Sequence, residues 1–251
     1  MVRGLYTSAL GMINHMNRMD VTTNNMSNVN TTGHKREIVA SRAFSDQMLH
    51  RLNDPGLRLF GPIPMGNINP GVFVDNIYTD FQQGTFQATD NPLDLAIAGP
   101  GFFVVNLGDE QLFTRDGAFT LAEGMLMTTD GGRVQGVNGD IILPNGYISI
   151  DENARIFVNG EYIATIRMTN FSDLTSLRKM QDNFFRTTDL SEEIPFEGQI
   201  LQGFLEGSNV NIVNEMVQMI NNSRAYETNA KILGMIDQTL QLAVNNIASR
   251  Q

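Results

Sequence analysis

A chain of 251 residues with 17 Lys+Arg against 27 Asp+Glu, no Cys and no Trp has room for one or two domains and carries a formal charge of −10. With 41% apolar and 18% charged residues it can bury a core, while the missing cysteines exclude disulfide scaffolds, zinc fingers, iron–sulfur clusters and thiol catalysis. The acid excess disfavours non-specific nucleic-acid binding, which neutralises phosphates with Lys and Arg. No apolar run is long enough to span a membrane, and the N-terminus is too polar for a cleavable secretory signal.

Charge and breaker residues divide the chain. Residues 1–36 carry +3 and residues 204–251 carry −1, so the middle holds −12. All eight prolines lie between Pro55 and Pro195, and 17 of the 23 glycines lie between residues 51 and 200. An α+β fold follows: long N- and C-terminal helices forming a coiled-coil-like bundle, with a central mainly-β domain.

In chain order, residues 1–36 are the N-terminal helix and its end. Val2, Leu5, Ala9, Met12, Met16, Met19, Thr23 and Met26 alternate by three and four, a heptad seam interrupted only at Thr23. Residues 37–71 are expected as an extended linker, since 53–71 alone contain four prolines and four glycines.

Residues 72–203 form the expected central β domain. Short apolar runs such as GVFVDNIY, LDLAIA, GFFVVNL, YISI, RIFV and YIATIRM alternate with the turn pairs Asp116-Gly117, Asp130-Gly131, Asn138-Gly139, Asn145-Gly146 and Asn159-Gly160.

Residues 204–251 are the C-terminal helix, capped by Ser208 or Asn209. Its seam is Ile212, Met216, Met219, Ser223, Tyr226, Ala230, Leu233, Asp237, Leu240, Val244 and Ile247. At 1.5 Å per residue the helices would be roughly 40 and 60 Å long, longer than a compact domain of this size needs, so they pack lengthwise on each other or on neighbours. Methionine-rich seams fit irregular gaps without specifying one tight geometry.

Chemistry-bearing patterns are sparse. His15, His34 and His50 have no ligand spacing, so no metal or other cofactor is expected. Gly99-Pro100-Gly101 opens like a phosphate loop but lacks the third glycine and the Lys-Thr pair, and reads as a tight turn entering a strand. The acid pairs Asp109-Glu110, Asp151-Glu152 and Glu192-Glu193 read as hydrated turns rather than a glycosidase pair. Arg115 in FTRDGAFT is the most site-like polar residue of the middle, expected as a surface Arg beside Asp116 on a hairpin. No catalytic residue is identified, and the chain reads as a non-enzyme.

The segment NNMSNVNTTGHKRE (Asn24 to Glu37) resembles the signature of the axial proteins of the bacterial flagellar rod and hook, departing from it at His34, where that family usually has Phe or Tyr. NPLDLAIAGPGFFVV (Asn91 to Val105), FTRDGAFTLAEGMLMTTDGGRVQG (Phe113 to Gly136) and LEGSNVNIVNEMVQMINNSRAYETNAKIL (Leu205 to Leu233) resemble further family segments in the same order, with 150–200 least characteristic. The short body is more similar to the rod subunits than to the hook subunit, and Ser41 to Gly56 looks somewhat more like the proximal rod protein than the distal one.

The resemblance implies a structural subunit of the flagellar basal-body rod, located in the periplasm or cell wall. Its terminal helices would polymerise with copies of itself and with other axial proteins, on the rod and hook sides, into a helical tube that transmits motor torque to the hook. It also implies passage through the type III flagellar export apparatus with an uncleaved signal, and neither nucleic-acid binding nor membrane insertion. The subunit contacts would then fall on the seam residues: Val2, Leu5, Ala9, Met12, Met16, Met19 and Met26, with Ile212, Met216, Met219, Tyr226, Leu233, Leu240, Val244 and Ile247. The alternative is a secreted β-rich glycan-binding or glycan-cleaving protein with a helical stalk, which the low aromatic content (8%) disfavours.

Overall fold

The computed structural model describes residues 2–51, 63–180, 183–188 and 191–248. They form two compact units: unit 1 comprises 1–24, 37–78 and 213–251, and unit 2 comprises 25–36 and 79–212.

Unit 2 holds an antiparallel sheet in which Arg178–Lys179, Phe184–Arg186, Glu110–Thr114, Phe102–Leu107, Arg133–Gly136, Met125–Thr128 and Phe119–Ala122 follow one another. A three-stranded sheet, Ile148–Ile150, Arg155–Val158 and Glu161–Thr165, lies beside it in the same unit. The run Phe102 to Val105 is buried at every position, because this central strand is covered on both faces. One face packs with Leu95, Ile97, Phe119, Leu126, Val134 and Ile156, and the other builds an aromatic cluster. In that cluster Phe113 and Phe171 meet edge to face at 4.9 Å, and Phe102 lies 5.8 Å from Phe171.

The turn pairs divide. Asn159-Gly160 adopts φ values of 53° and 87° and joins paired strands at Val158 and Glu161, a two-residue hairpin of the kind that Asn-Gly specifies. Asp116-Gly117 is not such a hairpin, because Glu110–Thr114 pairs with Phe102–Leu107 while Phe119–Ala122 pairs with Met125–Thr128. Gly117 is required instead by a close backbone approach: a Cβ there would collide with the Leu95 carbonyl.

Unit 1 contains helix α1 (Val2–Ser27, to residue 24) and helix α2 (Ile212–Ala248, from residue 213). The segment expected as a linker carries strands: Glu37–Ala43 pairs with Val72–Thr79, and Gln47–Arg51 with Ile63–Ile68. Part of that expected linker, 52–62, lies outside the described residues. α1 is tied to the strand Glu37–Ala43 by Arg18, which donates to Ser41 Oγ at 3.0 Å, while Ser41 donates to Asn14 Oδ1 at 2.8 Å.

The expected cap of the C-terminal helix is not formed by Ser208 or Asn209. α2 starts at Ile212, and the Asn209 side chain is used elsewhere: it accepts from Arg36 N and donates to the carbonyls of Asp80 and Gln82. Ser208 Oγ accepts from Val210 N within the approach to the helix.

Candidate assembly interface

The long helices touch within unit 1 through small and polar residues. A Cβ at Gly4 would lie 3.0 Å from Ile236, one at Gly11 would lie 2.9 Å from Asn229, and His15 Nδ1 is 3.2 Å from Asn222 Oδ1. Because the partners descend as α1 ascends, the two helices run antiparallel. The buried residues of this unit are Ser8, Asn14, Thr22 and Glu215, all polar, and no described apolar residue of the unit is buried.

The seam residues lie on a neighbouring stripe. Leu5, Ala9, Met12, Met19 and Met26 are half-buried and Met16 is exposed; on α2, Met219, Tyr226, Leu233 and Leu240 are half-buried, while Ile212, Met216 and Val244 are exposed. The side chains of Val2 and Ile247 lie outside the described residues. Further apolar side chains outside the seam also face solvent, among them Tyr6, Ile13, Val213, Val217, Ile220, Met235 and Leu242. Each helix thus makes its intramolecular contact along a narrow stripe rich in small and polar residues and leaves much of its apolar surface half-buried or exposed.

Unit 2 contains the second notable feature, a buried charge cluster that sequence reasoning missed. Lys35 Nζ and Arg115 Nη1 bind the two oxygens of Glu206 at 2.6 Å and 3.2 Å, and all three side chains are at most 4% exposed. Lys35 also donates to the Gln82 carbonyl at 2.9 Å, and Gly84 N donates to Glu206 Oε1 at 2.9 Å. Burial pulls the Lys35 and Arg115 pKa values down, and the Glu206 carboxylate opposes that pull on both. Arg115 is therefore not the expected surface residue. The cluster ties the end of the N-terminal segment to the approach of α2, using residues up to 171 positions apart.

Around it, residues 32–35 are held as a strap. Thr32 donates to Asp116 Oδ1 at 2.7 Å, Gly33 N donates to the Glu206 carbonyl at 2.8 Å, and Asn183 Nδ2 donates to the Thr32 carbonyl at 3.3 Å. Gly33 has φ 67°, and a Cβ there would lie 2.6 Å from Asp116 Cα, so only glycine fits. Burial pushes the half-buried Asp116 pKa up, partly offset by its bonds from Thr32 and Ala118 N. His34 is 1% exposed, with Nδ1 3.1 Å from Asn183 Oδ1 and no partner at Nε2. Burial first, and the Lys179 charge second, hold its pKa down at about 4.

Among the described residues no group of three or more His, Cys, Asp and Glu side chains is placed to hold a metal ion, and no helix is long and apolar enough to cross a membrane.

Three family models match the chain: "Flagella basal body rod protein" over residues 5–35, "Flagellar hook protein FlgE/F/G D1 domain" over 96–159, and "Flagellar basal body rod FlgEFG protein C-terminal" over 201–247. The first and third contain Lys35 and Glu206, and the second contains Arg115. The chain is 34% identical over 269 residues to flagellar basal-body rod protein FlgG of Borreliella burgdorferi, covering 98% of both chains. It is 32% identical to FlgG of Bacillus subtilis, covering 98% of this chain and 99% of that one. It is 25% identical to the flagellar hook-basal body complex protein FlhO of the same bacterium, over 98% of this chain and 99% of that one. With family models on both terminal segments and the central sheet, and near full-length relatives above 30% identity, the chain belongs to the flagellar basal-body rod protein family.

Proposed function

We propose that the chain is a structural subunit of the flagellar basal-body rod that polymerises through its terminal helices, with copies of itself and with other axial proteins, into a helical tube that passes motor torque to the hook. The observation that carries this reading is the inverted burial of unit 1, whose buried side chains are polar while Met16, Ile220, Met235, Leu242 and Val244 stand in solvent. Covering that apolar surface with neighbouring helices supplies the association energy, at about 25 cal/mol per Å² removed from water. A heterologous contact whose rotation does not close produces a filament rather than a ring, and a filament passes shear from subunit to subunit by packing alone.

In this reading residues 1–36 and 204–251 build the inner, coiled-coil-like tube, residues 37–71 connect it, and 72–203 form the outward β body. The seam residues from Val2 to Met26 and from Ile212 to Ile247 are the subunit contacts. The chain reaches the basal body through the flagellar export apparatus, and its Asn-rich helix segments, poor in helix propensity, become ordered as partners arrive. Nothing in the reading calls for a catalytic group or a cofactor.

Co-sedimentation of the purified full chain with its axial neighbours tests this. The expected result is a filament that fails to form with Leu233→Asp while the near-ultraviolet circular dichroism of the β body is unchanged. Normal swimming and assembly of that variant would contradict it.

A further inference from the structure

The chain has no cysteine, so the thioethers of its fourteen methionines are its only sulfur, and they are unevenly spread. Seven lie in the terminal helices: Met12, Met16, Met19 and Met26 in α1, and Met216, Met219 and Met235 in α2. Three of these face solvent, Met235 at 58% exposure and Met16 and Met216 at 45% each. In the sheet of unit 2, Met125, Met127 and Met168 are half-buried instead, and no described methionine belongs to the buried core. Met48, Met65 and Met180 are exposed outside the helices.

Each of the three exposed helix sulfurs stands beside apolar side chains one turn away along its helix. Ile13 precedes Met16, Val213 and Ile220 flank Met216, and Ile232 precedes Met235, all of them exposed. Methionine suits such a surface because it is apolar, unbranched and adaptable. Its sulfur is also a nucleophile. Attack of a sulfur lone pair on a hydroperoxide forms an S–O bond as the O–O bond breaks. Sulfur gives up two electrons, and with hydrogen peroxide the proton of the transferred hydroxyl passes to the departing hydroxide, which leaves as water. The sulfoxide is polar and chiral where the thioether was apolar. In water that change costs little. Covered by an apolar neighbour, the sulfoxide oxygen is an acceptor without a donor, and burying it is unfavourable. Oxidation therefore weighs on the covered state and not on the free one, and covering the sulfur in turn shields it from the oxidant.

We propose that Met16, Met216 and Met235 form a redox-modification site: a hydroperoxide converts them to sulfoxides in the free subunit and so blocks its assembly. Methionine sulfoxide reductases acting with a dithiol reverse the block, the dithiol becoming a disulfide as the sulfoxide oxygen leaves in water. The effect on assembly rests on the rod-subunit reading above, whereas the oxidation of these sulfurs in the monomer does not. Unit 2 keeps its fold throughout, since its buried core contains no thioether to oxidise.

The test uses the full-length chain and hydrogen peroxide. Monomer and polymerised tube are treated in parallel, each sulfoxide is located by peptide mass spectrometry as a gain of one oxygen, and polymerisation is followed by light scattering. In the monomer Met16, Met216 and Met235 should oxidise faster than Met125, Met127 and Met168, and in the tube they should be protected. The oxidised monomer, with the near-ultraviolet circular dichroism of unit 2 unchanged, should polymerise at least about tenfold more slowly, and reductase treatment should restore the rate. The triple variant Met16→Leu, Met216→Leu, Met235→Leu nearly conserves volume and retains Met48, Met65 and Met180, so it should assemble equally well before and after peroxide. If it fails to assemble unoxidised, the reciprocal variant Met48→Leu, Met65→Leu, Met180→Leu decides instead: it should remain peroxide-sensitive. Helix sulfurs that react no faster than those of the sheet overturn the site. Sulfoxides at the three positions with an unchanged assembly rate overturn the block, and a peroxide-sensitive triple variant or a resistant reciprocal one overturns the assignment of residues. A wild type that never polymerises sinks the rod reading, while the order of oxidation in the monomer still decides the site.

Discussion

Unit 1 and unit 2 divide the usual roles of a folded chain between them. In unit 2 apolar side chains are inside and, apart from the Lys35–Glu206–Arg115 cluster, most charge is outside: Leu95, Phe103, Val104, Val105 and Ile156 are fully buried, and all ten units of net negative charge belong to it. Among the described residues of unit 1 the buried positions are Ser8, Asn14, Thr22 and Glu215, the apolar side chains are half-buried or exposed, and acids and bases balance. Unit 2 therefore has a core of its own, whereas the described residues of unit 1 have no buried apolar core; in the proposed assembly other chains would supply it. In the proposed tube that neutrality would matter, since helices packed densely around one axis would otherwise concentrate like charge where water is excluded.

The largest effect that would break this contrast is expected inside unit 2. Glu206→Gln leaves Lys35 and Arg115 buried without their counter-charge, and loss of one partner from a buried ion cluster costs about 3–5 kcal/mol. Thermal unfolding of the monomer should show a fall of that size; an unchanged midpoint would mean that the cluster does not hold the strap and the α2 approach together.

A pH effect comes next. The His34 pKa is lowered from 6.5 to about 4 in the folded state, so the native state binds fewer protons than the unfolded one between those values. The His34 contribution to the stability of unit 2 should be constant above pH 6.5, fall by about 3 kcal/mol at most as pH drops towards 4, and level off below, where the acids with lowered pKa values take over. His34→Phe, which places there the aromatic usual in the resembling family, should flatten that slope. Denaturant midpoints at pH 7, 5.5 and 4.5 for both proteins check it.

Leu233→Asp sharpens the contrast from the other side. The residue is half-buried in the protomer, so the monomer should lose about 1–2 kcal/mol or less, while assembly, which desolvates the new charge against an apolar neighbour, should fail. The smallest effect is expected at Asp116. Asp116→Asn keeps an oxygen to accept from Thr32 and Ala118 N and removes a charge that burial disfavours, so it should change stability by less than about 0.5 kcal/mol. Asp116→Ala, which orphans both donors, should cost about 1–2 kcal/mol.

The parts of the fold that depend on local rules were legible in the sequence. The helices announced themselves by periodicity and by the absence of Pro, and Asn159-Gly160 by the backbone angles its hairpin requires. Other turns were hidden because their residues are less distinctive: Glu123-Gly124 closes a two-residue hairpin between Ala122 and Met125 with φ values of 52° and 80°. The strand Ile63–Ile68 was hidden among breaker residues, which mark irregular backbone without excluding a short paired strand between them, and Glu37–Ala43 lay in the segment expected as a linker.

The candidate site was legible only in part, for a different reason. The heptad seam marks where the apolar residues are, but which stripe faces the sister helix depends on how closely two backbones approach, and Gly4 and Gly11 set that approach. The ion cluster was out of reach of any periodicity, because Lys35 and Glu206 are 171 residues apart and each resembles a solvated charge in its own neighbourhood. The one available signal was Arg115 in an otherwise apolar, turn-rich stretch, and its expected surface placement was corrected by its burial against Phe102.

The central claim, that unit 2 is complete in the monomer while the terminal helices are completed by assembly, is tested most directly by amide hydrogen exchange on the purified monomer and on the polymerised tube. The account predicts that strands such as Leu95–Ala98 and Phe102–Leu107 are strongly protected in both states, whereas Val2–Ser27 and Ile212–Ala248 exchange quickly in the monomer and gain protection on polymerisation. Helices already protected in the monomer to the level of the central sheet, and unchanged in the tube, would contradict it.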